Sequence, residues 1–195
     1  MKLFKSIALA LLLFLPAGVY LFLQGFGENK FEIPVYYQTG LDTLTTCGRI
    51  MVPQQYYVEP NVAIDSLIKR KTTLYDFGLL SDARFRSERN NLMSFLMKYM
   101  GEDRIQLVSL YAQDSIQRIE GYPMIQYIRA EASVITAFSS CQLISHITLS
   151  TEGILQQIPQ LVLVDEQDRI RGYFNPSDLE DIDRLNTEVY ILLNE

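Results

Sequence analysis

The chain has 195 residues, 48% of them hydrophobic and 21% charged, and a formal net charge of −6. This length suffices for one domain with a substantial hydrophobic core. An acidic chain without a run of Lys or Arg lacks the clustered cations that phosphate contacts need, so the composition argues against nucleic-acid binding.

The first predicted element is an apolar segment near the N-terminus. Residues 7–23 carry no charge, Lys2 and Lys5 precede them, and the first acidic residue is Glu28. Counted on to Phe26, the segment has roughly the 20 residues that an α-helix needs to cross a bilayer. We predict a single membrane-spanning helix, with the lysines on the cytoplasmic side and the rest of the chain exported.

A cleavable signal peptide is the alternative interpretation of this segment. Gly25 and Gly27 supply small residues for a cleavage site, but the apolar run is longer than the usual stretch of about 7–15 residues. Both interpretations divide the chain in the same way. The divisions are an anchor or signal segment (1–27), an extended lead-in (28–70) and a regular domain (71–195).

The lead-in is rich in turns and aromatic residues. The stretch FEIPVYY (31–37) predicts a short strand, and MVPQQYYVEP (51–60) predicts an extended segment that lies over the core. Four tyrosines in these two stretches indicate either a cover for the core or a surface for a partner. They are Tyr36, Tyr37, Tyr56 and Tyr57.

The cysteines are few and far apart in the sequence. Cys47 lies in the lead-in, Cys141 lies in the regular domain, and the chain has no others. An exported domain is in a compartment where disulfides form. A Cys47–Cys141 disulfide is therefore one interpretation, and two unbonded thiols are the other.

Strands and helices alternate through the regular domain, as the periodicity of its apolar residues indicates. In chain order the predicted elements are a strand (71–80), a helix (81–103), a strand (105–112), a helical segment that breaks at Gly121–Pro123 (114–130), a strand (131–138), a short helix (139–150), two strands (161–165 and 169–174) and a final helix (175–193).

This order of elements predicts a mixed sheet. Strands that alternate with helices imply mostly parallel pairing with helices on both faces. The last two strands are joined by the short turn at 166–168, so they must be antiparallel. A parallel sheet that ends in a hairpin is the arrangement of thioredoxin-like α/β folds. Such folds carry a cis-proline just before the hairpin, so we predict a cis peptide bond at Pro159.

One stretch resembles a known family. LVLVDEQDRIRGYFNPSDLEDIDRLNTEVYILL (161–193) is similar to the C-terminal part of the SCO/SenC family of membrane-anchored copper and thiol proteins. LYDFGLLSDARF (74–85) resembles that family's first core strand and the start of its active-site helix, and the predicted N-terminal anchor matches as well. The resemblance covers residues 71–195 and implies a thioredoxin-like fold with one preceding transmembrane helix.

The residue types depart from the family where its ligands would lie. The family's CxxxC pair falls at Asp82 and Arg86, and its metal-binding histidine falls near Gln157. Copper(I) needs soft thiolate or imidazole ligands, and a dithiol oxidoreductase needs a thiolate at the helix N-terminus. We therefore predict a degenerate active site, without catalytic residues, metal or cofactor.

From these residues we expect a non-catalytic binding or assembly factor in the bacterial inner membrane, with a single-pass anchor and its domain in the periplasm. The expected partners are the membrane and another protein, and the resemblance implies a link to cytochrome oxidase assembly. The alternative is a copper-binding or thiol-redox protein that uses a relocated set, Cys47, Cys141 and His146. On a predicted helix, Cys141 and His146 would lie about 140° apart, which argues against that set.

Overall fold

A computed structural model describes residues 5, 12, 14–22, 32–41, 47–48, 53–59 and 71–194. The chain divides into two compact units, Met1–Glu32 and Ile33–Glu195. In the first unit, residues 14–22 are helical. Among the residues described, no helix combines the length and the apolar character that a membrane crossing requires. Much of the predicted anchor, residues 1–27, lies outside the described residues.

A five-stranded mixed sheet forms the centre of the second unit. In chain order its strands are β1 (Thr72–Asp76), β2 (Ile105–Tyr111), β3 (Ile125–Arg129), β4 (Leu161–Val164) and β5 (Ile170–Phe174). Their order across the sheet is β3-β2-β1-β4-β5. The first three strands are parallel, β4 is antiparallel to β1, and β5 is antiparallel to β4. The predicted combination of a parallel sheet with a terminal antiparallel hairpin is confirmed.

In the described part of the second unit, three α-helices accompany the sheet, and a short 3-10 helix (Ala83–Phe85) precedes the first of them. The α-helices are α1 (Arg86–Lys98), α2 (Ala132–Cys141) and α3 (Leu179–Leu192). The start of α3 is fixed by the carboxylate of Asp178, which accepts a hydrogen bond from the backbone N–H of Glu180 at 2.9 Å. Such a cap satisfies a donor that the helix itself leaves unpaired.

Each face of the sheet has its own hydrophobic core, because successive strand residues point to opposite faces. In β1, Leu74 belongs to the core beneath α1 and α3, whereas Tyr75 belongs to the core beneath α2. Phe95 of α1 and Leu185 of α3 are completely buried on the first face. Phe138 of α2 is buried on the second face, where its ring packs edge-on against that of Tyr75 at 5.5 Å.

The lead-in completes the second face. Ile33, Leu41, Tyr56 and Val58 are buried, and the last three belong to the same core as α2. The short strand predicted for residues 31–37 is wrong. In the described part of that stretch, residues 32–35 have no regular secondary structure and residues 36–39 form a turn, in which Tyr37 has a φ of 57°.

The lead-in also lies along the outer edge of β5. The backbone N–H of Tyr36 donates to the carbonyl of Ile170 at 2.9 Å, and that of Val58 donates to the carbonyl of Asp168 at 2.7 Å. An edge strand otherwise presents unpaired backbone groups to solvent. The described lead-in residues therefore protect this end of the sheet.

A disulfide joins the lead-in to the end of α2. Of the two alternatives that the sequence leaves open, the structure has the Cys47–Cys141 bond, with the Cα atoms 5.6 Å apart and a sequence separation of 94. The hydroxyl of Tyr56 donates to the carbonyl of Gln142 at 2.8 Å, next to the bridge. Both contacts hold the lead-in on the same helix end.

The structure corrects the prediction for residues 114–150. Residues 116–120 have no regular structure, and the third strand is Ile125–Arg129 rather than 131–138. Residues Ala132–Cys141 form α2. The short helix predicted at 139–150 is wrong, since residues 139–141 are the end of α2 and residues 142–150 are not helical. The β-branched residues of 131–138 suggested a strand, but the buried Ile135, Phe138 and Ser139 have helical spacing.

The predicted cis peptide bond at Pro159 is also wrong, because no peptide bond of the described residues is cis. The trans form of an X–Pro bond is favoured by about 0.5–1 kcal/mol unless the fold imposes a tight turn. Here residues 158–160 lead into β4 without a turn. Pro159 is buried, although the residues on either side of it are exposed.

Candidate functional site

A buried carboxylate organises the loop that follows β1. Asp76, the last residue of the strand, is completely buried. Its carboxylate accepts hydrogen bonds from the backbone N–H groups of Leu79 at 3.1 Å and Leu80 at 3.2 Å, and from the hydroxyl of Ser109 at 2.5 Å. Burial raises the pKa of Asp76, and these donors oppose that rise. The loop also needs glycine at position 78, where φ is 87°.

Beyond this loop, Asp82 and Arg84 form an ion pair. The carboxylate of Asp82 accepts from the backbone N–H of Arg84 at 2.9 Å, which caps the 3-10 helix, and the Arg84 Nη2 atom lies 2.6 Å from Asp82 Oδ2. Partial burial acts to raise the pKa of Asp82, but the hydrogen bonds and charge of Arg84 outweigh it and lower that pKa. Asp82 is therefore ionised and paired at neutral pH.

Arg84 also bridges two parts of the chain. Its Nη2 atom donates to the carbonyl of Leu155 at 2.7 Å. Leu155 lies two residues before Gln157, in the segment that leads to β4. A guanidinium thus joins the loop after β1 to the segment where the resemblance places the family's histidine. Arg84 is not among the site residues predicted from the sequence, although its spacing from Asp82 suits a capping pair.

The three predicted degenerate positions have different surroundings. Asp82 is paired with Arg84, Arg86 begins α1 with an exposed side chain, and Gln157 is exposed. In the described part of the chain, no hydrogen bond or ion pair joins any two of these three side chains. The corner is held together by Arg84 and by the backbone.

An open cleft of about 620 Å³ lies beside this corner. Its walls are residues 81–84 after β1, residues 113–117 after β2, and Glu152 with Ile154. Gly153, in the third wall, lies against Ala112. Only glycine fits there, since a Cβ atom at position 153 would lie 2.6 Å from the Cβ of Ala112. The lining offers carboxylates, amides and one guanidinium, so the cleft can donate and accept hydrogen bonds but contains no thiolate.

The relocated cysteine and histidine set is not a metal site in the structure. Cys47 and Cys141 are bonded to each other, and a disulfide sulfur is not the thiolate that serves as a metal ligand. His146 is exposed in the segment that follows α2. Among the described residues, no group of three or more His, Cys, Asp or Glu side chains has the geometry to hold a metal ion.

The tyrosines of the lead-in pack as a cover for the core. The ring of Tyr36 meets that of Tyr173 of β5 edge-on at 5.2 Å, and Tyr37 meets Tyr56 in the same way at 6.2 Å. The hydroxyl of Tyr173 donates to the carbonyl of Leu143 at 2.9 Å, and burial raises its pKa. Tyr57 is the exception, with 51% of its surface exposed.

Comparisons with known proteins find similar solved structures only. No protein-family model and no curated protein matches the chain. An SCO1/SenC family lipoprotein from Bacillus anthracis is 18% identical, with a TM-score of 0.45 over 62% of this chain and 82% of that one. Arabidopsis thaliana ScoI, solved with copper bound, is 12% identical, with a TM-score of 0.46 over 64% and 87%.

A third similar structure is BsSco, a member of the Sco family of cytochrome c oxidase assembly proteins. It is 15% identical, with a TM-score of 0.46 over 68% of this chain and 95% of that one. SCO/SenC proteins are thus among the solved structures similar to this chain, as the resemblance of residues 161–193 predicts. Bound copper is a property of the Arabidopsis structure, and oxidase assembly is a property of the Sco family to which BsSco belongs.

Proposed function

We propose that this chain is a non-catalytic, SCO/SenC-like binding or assembly factor. Its N-terminal segment anchors it to the bacterial inner membrane, and its domain faces the periplasm. The observation that carries the proposal is the position of Arg84, whose guanidinium joins Asp82 to Leu155 in the corner where the family holds its ligands.

An arginine in this corner opposes metal binding. The guanidinium is protonated at every physiological pH, so an approaching copper ion meets a fixed positive charge. The neighbouring acceptors are a carboxylate and a backbone carbonyl, which are hard oxygen ligands, whereas copper(I) prefers soft sulfur and imidazole. The same corner contains no cysteine, which opposes dithiol chemistry.

The cleft beside the corner suits a protein partner. It lies beyond the carboxyl ends of two parallel strands, where open α/β sheets commonly bind ligands. Asp76 fixes one wall through backbone hydrogen bonds, and Gly153 packs the opposite wall against Ala112. A polar cleft with rigid walls can pair with the backbone and side chains of a peptide segment.

Two further observations support an exported assembly role. The Cys47–Cys141 disulfide fits an oxidising compartment outside the cytoplasm. The sequence of residues 161–193 resembles a family linked to oxidase maturation. On this basis the proposed partner is a subunit of a respiratory oxidase.

Site-specific crosslinking in the native host tests the proposal. A photo-reactive residue at the exposed position Gln117, in the wall of the cleft, should form a covalent adduct with an oxidase subunit. Gln167 is the matched control, because it is also an exposed glutamine but lies in the turn between β4 and β5, at the opposite end of β1. The proposal is wrong if Gln117 captures no oxidase subunit, or if both positions capture it equally.

A further inference from the structure

Three of the six methionines lie close together along α1 and the turn that follows it. They are Met93, Met97 and Met100, at the spacing i, i+4, i+7 that places side chains on one side of a helix. Met93 and Met97 belong to the helix itself, and Met100 follows the C-terminal cap residue, Tyr99. This methionine stripe plays no part in the function proposed above.

The methionine stripe lies beside the face of α1 that packs on the sheet. That buried face consists of Leu92, Phe95 and Leu96. Met97 is 61% exposed and Met100 is 50% exposed, whereas Met93 is half-buried against the core. Methionine is among the residues most often buried. Burial in this fold therefore does not explain two methionines that are largely in solvent.

The chemistry of the thioether group offers a reason for exposed methionines at this spacing. A methionine sulfur is a soft, uncharged ligand of the kind that selects copper(I). From Met93 to Met97 the axial rise is about 6 Å, and Met100 lies in the turn directly after the cap residue. The side chains are unbranched, with three rotatable bonds each, and can turn their sulfurs toward a common point.

We propose that Met93, Met97 and Met100 form a surface site for a soft monovalent cation, Cu(I) or Ag(I), bound through three thioether sulfurs. The half-buried Met93 anchors one ligand against the core, and the two exposed residues close on the ion from solvent. The site is distinct from the corner at Arg84, since Met97 lies about 16 Å along the helix axis from Arg86.

The charges around the methionine stripe allow a cation to approach from its C-terminal end. Lys98 is directed to α3, where its Nζ donates to the carbonyl of Asn186 at 3.0 Å and lies 5.6 Å from the ring centre of Tyr190. Arg89 is one turn before Met93, at the other end of the stripe. The cation on the helix closest to Met97 in sequence therefore faces away from the proposed ligands.

A titration of the full chain with Ag(I) tests the site. Silver needs no reductant, so the Cys47–Cys141 disulfide stays closed and supplies no competing thiolate. In chloride-free buffer, with methyl-labelled methionine, one equivalent should shift the NMR signals of Met93, Met97 and Met100. The double substitution M97L/M100L, which conserves side-chain volume, should weaken binding by about tenfold or more.

Met124 is the matched control, because it is buried in the same core and is not part of the stripe. The substitution M124L should leave Ag(I) affinity unchanged. The inference is wrong if the wild-type chain binds no Ag(I), or if M97L/M100L binds it as tightly as the wild type. Either result leaves the crosslinking test of the cleft untouched.

Discussion

At the scale of single residues, the placement of one charged side chain, Arg84, determines the chemistry of the corner beside the cleft. Arg84 is 53% exposed, so its ion pair with Asp82 adds at most about 1 kcal/mol to the free energy of unfolding. The ion pair matters more for the chemistry of the corner than for the stability of the fold. A permanent cation and two oxygen acceptors occupy the corner to which the sequence resemblance assigns sulfur and imidazole ligands.

We predict that the full chain retains no stoichiometric Cu(I) when a strong chelator competes for it. Asp82, Arg86 and Gln157 offer only hard or cationic groups, and the uncharged thioethers of the methionine stripe release the ion to the chelator. Bound copper is measured after desalting. If one equivalent stayed bound and C141S removed it, the relocated cysteine and histidine set would replace the present proposal.

The residue types of this corner could be read from the sequence, but its geometry could not. The absence of cysteine at positions 82 and 86 is visible in the sequence and predicted the loss of the family's ligands. The bridge from Arg84 to the carbonyl of Leu155 joins residues 71 apart in sequence. No local pattern encodes such a contact, because it depends on how the sheet brings two loops together.

At the scale of elements, a sequence pattern predicted the secondary structure correctly where it was strong, and incorrectly where a strand pattern and a helix pattern overlapped. The hairpin of β4 and β5 has continuous apolar strands and a polar turn, and its prediction is confirmed. In residues 131–138, β-branched side chains favoured a strand while the spacing of apolar residues favoured a helix. The helix buries Ile135 and Phe138 against the sheet, and this tertiary packing outweighs the intrinsic strand propensity of the β-branched residues.

Two alanine substitutions distinguish the helix from the strand in solution. In a strand, positions 136 and 138 share a face, whereas in α2 Phe138 is buried and Thr136 is exposed. We expect F138A to lower the free energy of unfolding by about 3–5 kcal/mol. T136A should change it by less than about 0.5 kcal/mol, as for other surface positions. Urea unfolding measures both, and similar losses would contradict the helix.

At the scale of the whole molecule, the disulfide closes a loop of 94 residues in sequence between the lead-in and α2. The bond lowers the conformational entropy of the unfolded chain, and in the chain-entropy model this raises the free energy of unfolding by about 4–5 kcal/mol. We expect the double substitution C47S/C141S to lower the free energy of unfolding by that amount. Reduction of the wild-type chain should produce the same loss, and a much smaller effect in both experiments would show that the bridge constrains little.

The position of the lead-in also has a kinetic consequence. Tyr36 and Val58 precede every strand of the sheet in the sequence, yet they donate to the carbonyls of Ile170 and Asp168, which are made after the first four strands. During synthesis and export these contacts have no partner until β5 has emerged. Contacts between such distant parts of a chain slow folding. The lead-in, which is made before the sheet, is therefore among the last segments to reach its native place, and until then the outer edge of β5 is open to pairing with another chain.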